Sequence, residues 1–252
     1  RVSLSQEFAE AGRASLGYHS SRAKALTTIV SHRIFSLGKN ARPNPAVLSG
    51  QDNRIDIDLS YGAEFYPLPT RTSFGVYVHG AISAATLGSD FDYRSGSLGF
   101  QSTIKTFFPR LNDGPSMRVR LEYFTLTGKT GPQHAAFVST ALGPYAPFGA
   151  FKLLRPYEFR STRHASMHLE HDWSTIPFQL LGITFLESSG VRLTTGVSIV
   201  GGNKKEWDFQ RESDLRYLEA SVGISRILSV LSVSFTRSSE KMSTVTFSIS
   251  PP

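Results

Sequence analysis

The sequence predicts an all-β fold, specifically a transmembrane antiparallel β-barrel of about twelve or more strands. Aromatic residues make up 12% of the chain and charged residues only 19%, a composition that favours strands over surface helices. Apolar and polar residues alternate with a period of two in one segment after another. These segments run for about 10–14 residues, whereas strands of soluble sheets usually have about 5–6 and strands that cross a membrane about 9–11. Length and alternation together therefore favour a barrel in a membrane.

The longest alternating segment runs over 54–65. Ile57 and Leu59 fall on an apolar face of this predicted strand, and Asp58 falls on a polar face. After a proline-containing turn at 66–70 the alternation resumes, so we expect the two segments to form an antiparallel hairpin.

Similar alternation predicts the other strands of the chain. We predict strands over about 2–10, 22–35, 53–65, 71–84, 93–106, 116–127, 134–142, 164–174, 191–200, 214–226, 229–237 and 243–250. The apolar residues of Ile176–Glu187 do not alternate, so this segment is predicted to be either a short helix or an extra strand. We find no linker, repeat or low-complexity tract, and therefore predict that residues 1–252 form one barrel domain.

Alternation alone does not tell which face of a strand contacts water. In a soluble β-sandwich the polar face would lie outside and the apolar face inside. Here the polar faces carry charges of both signs, with Arg118, Arg120 and Glu122 on one strand and Asp56 and Asp58 on another, which fits the lumen of a membrane barrel. Short connections also alternate with long polar ones, as in outer-membrane barrels. We therefore favour the membrane barrel and keep the soluble sandwich or barrel as the alternative.

Charge and composition narrow the choice of partners. The chain has 27 Lys and Arg against 20 Asp and Glu, a formal net charge of +7, which permits contact with phosphate groups. Because the basic residues form no run and the aromatic residues lie mostly on apolar faces, we expect no nucleic-acid partner and favour anionic outer-membrane lipids or lipopolysaccharide. The absence of Cys excludes disulfides and thiolate metal sites. No apolar run is long enough for a transmembrane helix, and the polar start at Arg1 leads us to expect that any signal peptide was removed or lies upstream.

Three stretches near the C-terminus carry a family resemblance. They are Leu154–Phe159 with the strand Ala165–Trp173 after it, Tyr217–Ser225 running into Leu231–Phe235, and the closing stretch Thr244–Ser250. Together they resemble the Omp85 superfamily of outer-membrane assembly and translocation barrels, and more closely the DUF5686 family of Bacteroidota-type envelope barrels. The resemblance implies a protein of the outer membrane of a Gram-negative-type bacterium, with a role in assembly or translocation of outer-membrane proteins or as a structural part of an envelope complex. It also implies that the chain is either a closed barrel or the C-terminal part of one with about sixteen strands.

The resemblance further implies that a loop at about 143–163 folds back into the lumen. The superfamily has an Arg-Gly-aromatic sequence at the tip of this loop, and here the tip reads Arg155-Pro156-Tyr157. Proline in place of glycine departs from the superfamily and is similar to DUF5686.

An arginine inside a narrow lumen requires a carboxylate partner, because it loses hydration there. Glu170 is the best candidate for the partner of Arg155, since it falls on the polar face of the strand that follows. His168 and Asp172 share that face and are the next candidates. The alternative is that Arg155 is a solvated loop residue and Glu170 an ordinary charge in the lumen.

A second family element, Phe-x-Asp-x-Gly, aligns with 185–189 and would give Glu187 the place of the aspartate. This alignment requires an additional strand between Trp173 and Val191.

The sequence contains no recognisable enzymatic site. His164, His168 and His171 invite a metal-binding interpretation, but a strand points His168 and His171 to opposite faces, so their spacing argues against one site. No nucleophile-elbow or nucleotide-binding motif is present. We therefore expect no enzyme activity, no catalytic or metal-binding residues and no cofactor, with a passive pore or a lipid-modifying barrel enzyme as the alternatives.

Overall fold

The computed structural model describes residues 2–8, 11–25, 47–62, 72–107, 114–141, 148–154, 159–206, 211–227, 231–240 and 242–249. It confirms the predicted all-β class, and the described residues form twelve strands, in agreement with the predicted number of about twelve or more. The strands are β1 Val2–Phe8, β2 Gly12–Ala23, β3 Gly50–Gly62, β4 Thr72–Ser83, β5 Asp92–Lys105, β6 Ser116–Lys129, β7 Ala136–Phe137, β8 Arg160–Ser174, β9 Arg192–Glu206, β10 Arg211–Ile227, β11 Leu231–Ser238 and β12 Ser243–Ile249.

All twelve strands belong to one antiparallel sheet. Sequential strands are neighbours throughout, except that β6 pairs directly with β8 while the two-residue β7 pairs with β8 beyond the end of β6. The hairpin predicted from the long alternating segment is the β3–β4 pair, with Leu59 opposite Val78 and Tyr61 opposite Val76.

Several strand predictions need correction. The strand β2 was not predicted apart from its last two residues, where the predicted strand at 22–35 begins, and most of that predicted strand lies outside the described residues. The strand predicted at 134–142 is reduced to Ala136–Phe137, because the backbone at Ser139 and Ala141 bonds to Phe151 instead of to β8. The segment Ile176–Glu187, predicted to be either a short helix or an extra strand, is helical, with α1 at Ile176–Leu180 and α2 at Thr184–Ser188. The helix alternative is confirmed, and the extra strand that the alignment of 185–189 requires between Trp173 and Val191 is wrong.

The sheet buries its polar face and exposes its apolar face, which is the opposite of what is found in a soluble sheet. On β3, Asp56 is only 3% exposed while Leu59 is 44% exposed. The same inversion recurs along the sheet, where the exposed side chains of the apolar face include Leu16, Ile57, Phe74, Val78, Leu98, Leu121, Leu218, Val222, Phe235 and Phe247. The buried side chains of the polar face include Asp52, Ser83, Ser166, His168, Glu219, Thr236 and Thr246. The polar face is therefore the interior of the fold.

A single sheet buries one of its own faces only by curving around it or by covering it with chain. Here the segment Phe148–Leu154 contacts Arg118 on β6 at one end and Ser234 on β11 at the other. Three strands lie between β6 and β11 in the order of the sheet. The segment thus covers the polar face across the strands that lie between β6 and β11.

The first and last strands run in the same direction. The path from β1 to β12 contains eleven strands, since β7 lies beside it, and every adjacent pair is antiparallel. Pairing between β1 and β12 is not found in the described part of the chain. All seven residues of β1 are exposed, as expected of an edge strand.

The ends of the strands define two ends of the sheet, which differ in their connections. At the helical end β8 passes into α1 and α2, and β1, β3 and β5 also end there. At the loop end β6 passes into the connection that carries β7 and the segment Phe148–Leu154. Neither α1 nor α2 has the length and hydropathy required of a membrane-crossing helix, and the same holds for any helix within the described ranges.

Candidate functional site

The connection between β7 and β8 supplies the segment Phe148–Leu154, called here the inward segment, which lies against the polar face. Phe151 forms an isolated parallel bridge with Thr140, and its side chain is fully buried. Its ring contacts the rings of His168 on β8 and Tyr217 on β10, with centroids 4.7 and 5.8 Å apart. The surrounding apolar cluster consists of Val138, Phe151, Leu154, Phe159, Val200 and Tyr217. The inward segment therefore has its own small hydrophobic core inside an otherwise polar interior.

A glycine allows the inward segment to approach the sheet closely. Gly149 has a φ of +84°, a backbone conformation that other residues adopt only with strain. A Cβ atom at this position would lie 2.7 Å from Cδ of Arg120 on β6. Both the conformation and the space thus favour glycine at the point where the segment passes Arg120.

Glu219 on β10 binds the backbone of the inward segment. Its carboxylate accepts hydrogen bonds from the backbone N–H groups of Lys152 and Leu153, at 2.6 and 3.2 Å, and from the Tyr217 hydroxyl at 3.3 Å. The Glu219 side chain is only 2% exposed. Charge-assisted bonds from two successive N–H groups fix both the position and the direction of the segment.

Lys152 extends the contact of the inward segment to the next strand. Its ammonium group donates a hydrogen bond to Oγ of Ser234 on β11, at 3.2 Å. Burial lowers the pKa of Lys152 from its ordinary value, while the nearby carboxylates of Glu170 and Glu219 act in the opposite direction. The segment is thus attached to β10 and β11 through both its backbone and a side chain.

Glu170 lies on the polar face, and its carboxylate pairs with the guanidinium of Arg118. Arg118 is directly opposite Glu170 in the β6–β8 register, and its guanidinium also lies 4.6 Å above the ring of Phe148. Arg155 and Tyr157, the predicted tip of the loop, lie outside the described residues. The pair of Arg155 with Glu170 therefore stays a prediction, and the structure adds Arg118 as a partner of this carboxylate.

A second interior network joins β4 to β6 across β5. The hydroxyl of Tyr77 donates a 2.5 Å hydrogen bond to Glu122, which also accepts a 2.6 Å bond from Arg120. Tyr77, Gly99 and Glu122 are in register on the three successive strands. A Cβ at Gly99 would overlap the Tyr77 ring, so the ring lies directly on the backbone of β5.

A third network lies at the loop end, on strands β3 to β5. Asp52 on β3 accepts hydrogen bonds from the hydroxyls of Ser83 and Tyr93 and from the guanidinium of Arg54, at 3.1–3.3 Å. Nε2 of His134 lies 3.3 Å from the Asp52 carboxylate, and both side chains are buried. His134 belongs to the 3-10 turn Pro132–His134, so this turn is held over the ends of β3, β4 and β5.

The other candidate site residues, His168, Asp172 and Glu187, lie in three different surroundings. Nδ1 of His168 is 2.9 Å from Oγ of Ser198, beneath the ring of Phe151. Asp172 lies near the helical end and accepts a 2.9 Å hydrogen bond from Arg192. Glu187 is exposed in α2 and bonds to Gln179, so it does not face the interior.

The histidines do not converge. His168 faces the interior, whereas His171 lies with Phe107 and Trp173 on the opposite side of β8. In the part of the chain that is described, no three His, Asp or Glu side chains form a group able to hold a metal ion. The polar side chains of the interior are instead joined by the hydrogen-bonded networks described above.

Sequence reasoning did not single out Glu219. The sequence feature that could have identified it is an acidic residue on the polar face of a strand close to the predicted inward loop. Which of two inward carboxylates the loop reaches depends on its path across the strands, and spacing along the chain carries no information on that path.

Comparison with known proteins gives no assignment: neither a family model nor a curated protein matches the chain.

Proposed function

We propose that the chain forms the membrane-spanning β-barrel of an outer-membrane protein of a Gram-negative-type bacterium. The observation that carries this proposal is the inversion of the two faces. A large apolar side chain left in water forgoes about 1.5–3 kcal/mol relative to burial, and here such side chains are exposed on strand after strand while Asp56 and Glu219 are buried. Exposure of this kind is favourable when hydrocarbon surrounds the sheet.

Aromatic side chains near the helical end also support a membrane location. Phe8, Tyr61, Phe74, Phe107 and Trp173 lie on the outer face, close to the ends of five different strands. Barrels in membranes have such a girdle where hydrocarbon meets the headgroups.

Segments of the chain occupy the interior, which favours a role other than that of a passive pore. The inward segment and the 3-10 turn at His134 cover the polar face at two places, and both are held by buried hydrogen bonds. We therefore propose a role in the assembly or translocation of outer-membrane proteins, or as a structural part of an envelope complex, as the resemblance to Omp85 and DUF5686 barrels implies.

Partners follow from charge and location. The net charge of +7 favours contact with anionic lipids or lipopolysaccharide phosphates, and the proposed role requires other envelope proteins.

Fractionation and electrophoresis test the membrane proposal. We expect the protein in the outer-membrane fraction, and we expect its mobility to change when the sample is heated, because the proposed barrel would pair its backbone polar groups within the membrane and so resist unfolding by detergent. Recovery in soluble form without detergent would refute the proposal.

Reconstitution tests the role. Liposomes that contain the protein should accelerate insertion of an unfolded outer-membrane barrel relative to protein-free liposomes. Steady ion conductance in planar bilayers without such acceleration would favour the passive pore, and turnover of labelled phospholipid would favour the lipid-modifying enzyme. Either result would overturn the assembly role and leave the membrane barrel in place.

A further inference from the structure

The connection between β8 and β9 is longer than its strands require. The two strands pair up to Ser174 and Leu193, and a hairpin of this kind closes with about two to five residues. The chain instead inserts α1 and α2, called here the helical hairpin, which lie at the helical end of the sheet. Their sequence is the apolar stretch that breaks the strand alternation.

The helical hairpin exposes large apolar side chains to an unusual degree. Leu180, Leu181 and Phe185 are 83%, 72% and 75% exposed, more than most residues of the outer face of the strands. From Thr175 to Gly190 the only charged residue is Glu187. A surface of this kind in water would forgo several kcal/mol of hydrophobic stabilisation.

Contacts within the hairpin fix its conformation, so the exposed apolar side chains do not belong to a frayed loop. Phe178 is buried, and Gln179 donates a hydrogen bond to Thr175 at the start of α1 and another to Glu187 of α2, which joins the two helices. The backbone N–H of Ile183 also bonds to the carbonyl of Phe178. The structure thus holds the three apolar side chains outward.

An aromatic cluster on the outer face adjoins the hairpin. Trp173, three residues before the first residue of α1, lies with its ring centroid 4.1 Å from that of His171 and 6.0 Å from that of Phe107. The indole N–H of Trp173 donates to Thr195 on β9. Tryptophan with a satisfied N–H beside other rings is typical of the zone where hydrocarbon meets lipid headgroups. The apolar surface of the hairpin continues the proposed lipid-facing surface at this level.

We propose that the helical hairpin lies in the headgroup–acyl boundary of the bilayer, with Leu180, Leu181 and Phe185 inserted, and anchors the helical end of the sheet to the membrane surface. Short amphipathic elements bind there because their apolar side chains leave water while their polar backbone ends stay hydrated. The inference rests on the proposed membrane location of the sheet and adds a lipid contact outside the strands.

Spin labels on single cysteines test this inference, and the chain has no native Cys to interfere. Leu181→Cys and Phe185→Cys report the hairpin in proteoliposomes. Leu59→Cys on the outer face of β3 is the hydrocarbon reference, and Glu240→Cys in the exposed turn after β11 is the aqueous reference. Collisions with oxygen and with a water-soluble nickel chelate are measured at each label.

We expect the ratio of oxygen to nickel accessibility at 181 and 185 to lie above that at 240 and below that at 59. A ratio equal to that at 240 would place the hairpin in water and overturn the inference. Low accessibility to both reagents would mean that protein covers the hairpin, and would overturn it as well. If the label at 59 itself behaved like that at 240, the proposed membrane location would fail, and this result is distinct from failure of the hairpin alone.

Discussion

Glu219 is the residue that fixes the position of the inward segment most directly, through its buried carboxylate. It accepts hydrogen bonds from two backbone N–H groups of the segment, and both would lose their partner if the carboxylate were removed. An unsatisfied buried donor costs about 1–3 kcal/mol. No comparable pair of backbone contacts to Glu170 is present among the described residues, although both acidic residues face the interior.

We predict that Glu219→Ala releases the inward segment and lowers the free energy of unfolding by about 1–3 kcal/mol. Limited proteolysis should cut the variant faster than the wild type within 143–163. Glu187→Ala, which removes an exposed carboxylate of the helical hairpin, is the control and should leave this cleavage unchanged. Equal cleavage of the Glu219→Ala variant and the wild type would contradict the assigned contact.

We further predict energetic coupling between Arg118 and Glu170. Their ion pair is partly exposed, so a double-mutant cycle with alanine at both positions should give a modest coupling of about 0.2–1 kcal/mol. A parallel cycle with Arg155→Ala and Glu170→Ala tests the partner predicted from the sequence. Additive effects in the first cycle would mean that Arg118 does not stabilise Glu170, and coupling in the second alone would assign Glu170 to Arg155.

Alternation of apolar and polar residues is the signal that predicts the strands. A strand can be recognised in this way only when its apolar residues are large. The strand β3 alternates Ile, Ile, Leu and Tyr with charged or small residues, and it was predicted to within a few residues. The strand β2 pairs with β3 along its whole length, yet Leu16 and Tyr18 are its only large apolar residues. Its place in the sheet comes from pairing with β3, which a local pattern does not encode.

The same limit applies to the site. Alternation predicted which side chains face the interior, including Arg118, Glu122 and Glu170. It did not predict that Tyr77 reaches Glu122 across β5, because that contact depends on the absence of a side chain at Gly99 and on the register of three strands. Contacts between strands that are not neighbours require the register, and the register follows from the folded sheet.

At the scale of the β4–β5–β6 unit, we predict that Gly99→Ala is destabilising by about 1–3 kcal/mol, because the new Cβ displaces the Tyr77 ring from Glu122. Gly201→Ala on β9 is the matched control, since a Cβ there meets no atom within 4 Å. Denaturant unfolding in detergent micelles measures both changes. In a Tyr77→Ser background the cost of Gly99→Ala should shrink, and an unchanged cost would show that the Tyr77 ring is not its cause.

At the scale of the whole molecule, eleven strands form a continuous antiparallel path whose first and last members run in the same direction. A ring closed by direct contact of β1 with β12 would therefore contain one parallel pair. A ring with only antiparallel pairs requires an odd number of further strands between them. Hydrogen-bonded networks occupy the interior, and large apolar side chains are exposed on the outer face of strand after strand.

The identity of the two faces predicts opposite effects for neighbouring substitutions on β3. Ile57→Arg places a charge on the proposed lipid face near the middle of β3 and should cost about 2–4 kcal/mol. Asp58→Asn changes a residue of the polar face and should be tolerated better. Folding yield and the temperature of the heat-dependent mobility shift measure the difference. Equal tolerance of the two variants would mean that the faces are assigned wrongly.

The most direct test of the account follows the alternation itself through β3 in a bilayer. Spin-labelled single cysteines at each position from 55 to 60 are measured for collision with oxygen, which concentrates in hydrocarbon. We predict high oxygen accessibility at Ile55, Ile57 and Leu59 and low accessibility at Asp56, Asp58 and Ser60, a period of two with the apolar residues in lipid. The opposite phase, or uniform access of a water-soluble reagent to all six positions, would contradict the claim that the polar face of this sheet is its interior and the apolar face its boundary with the membrane.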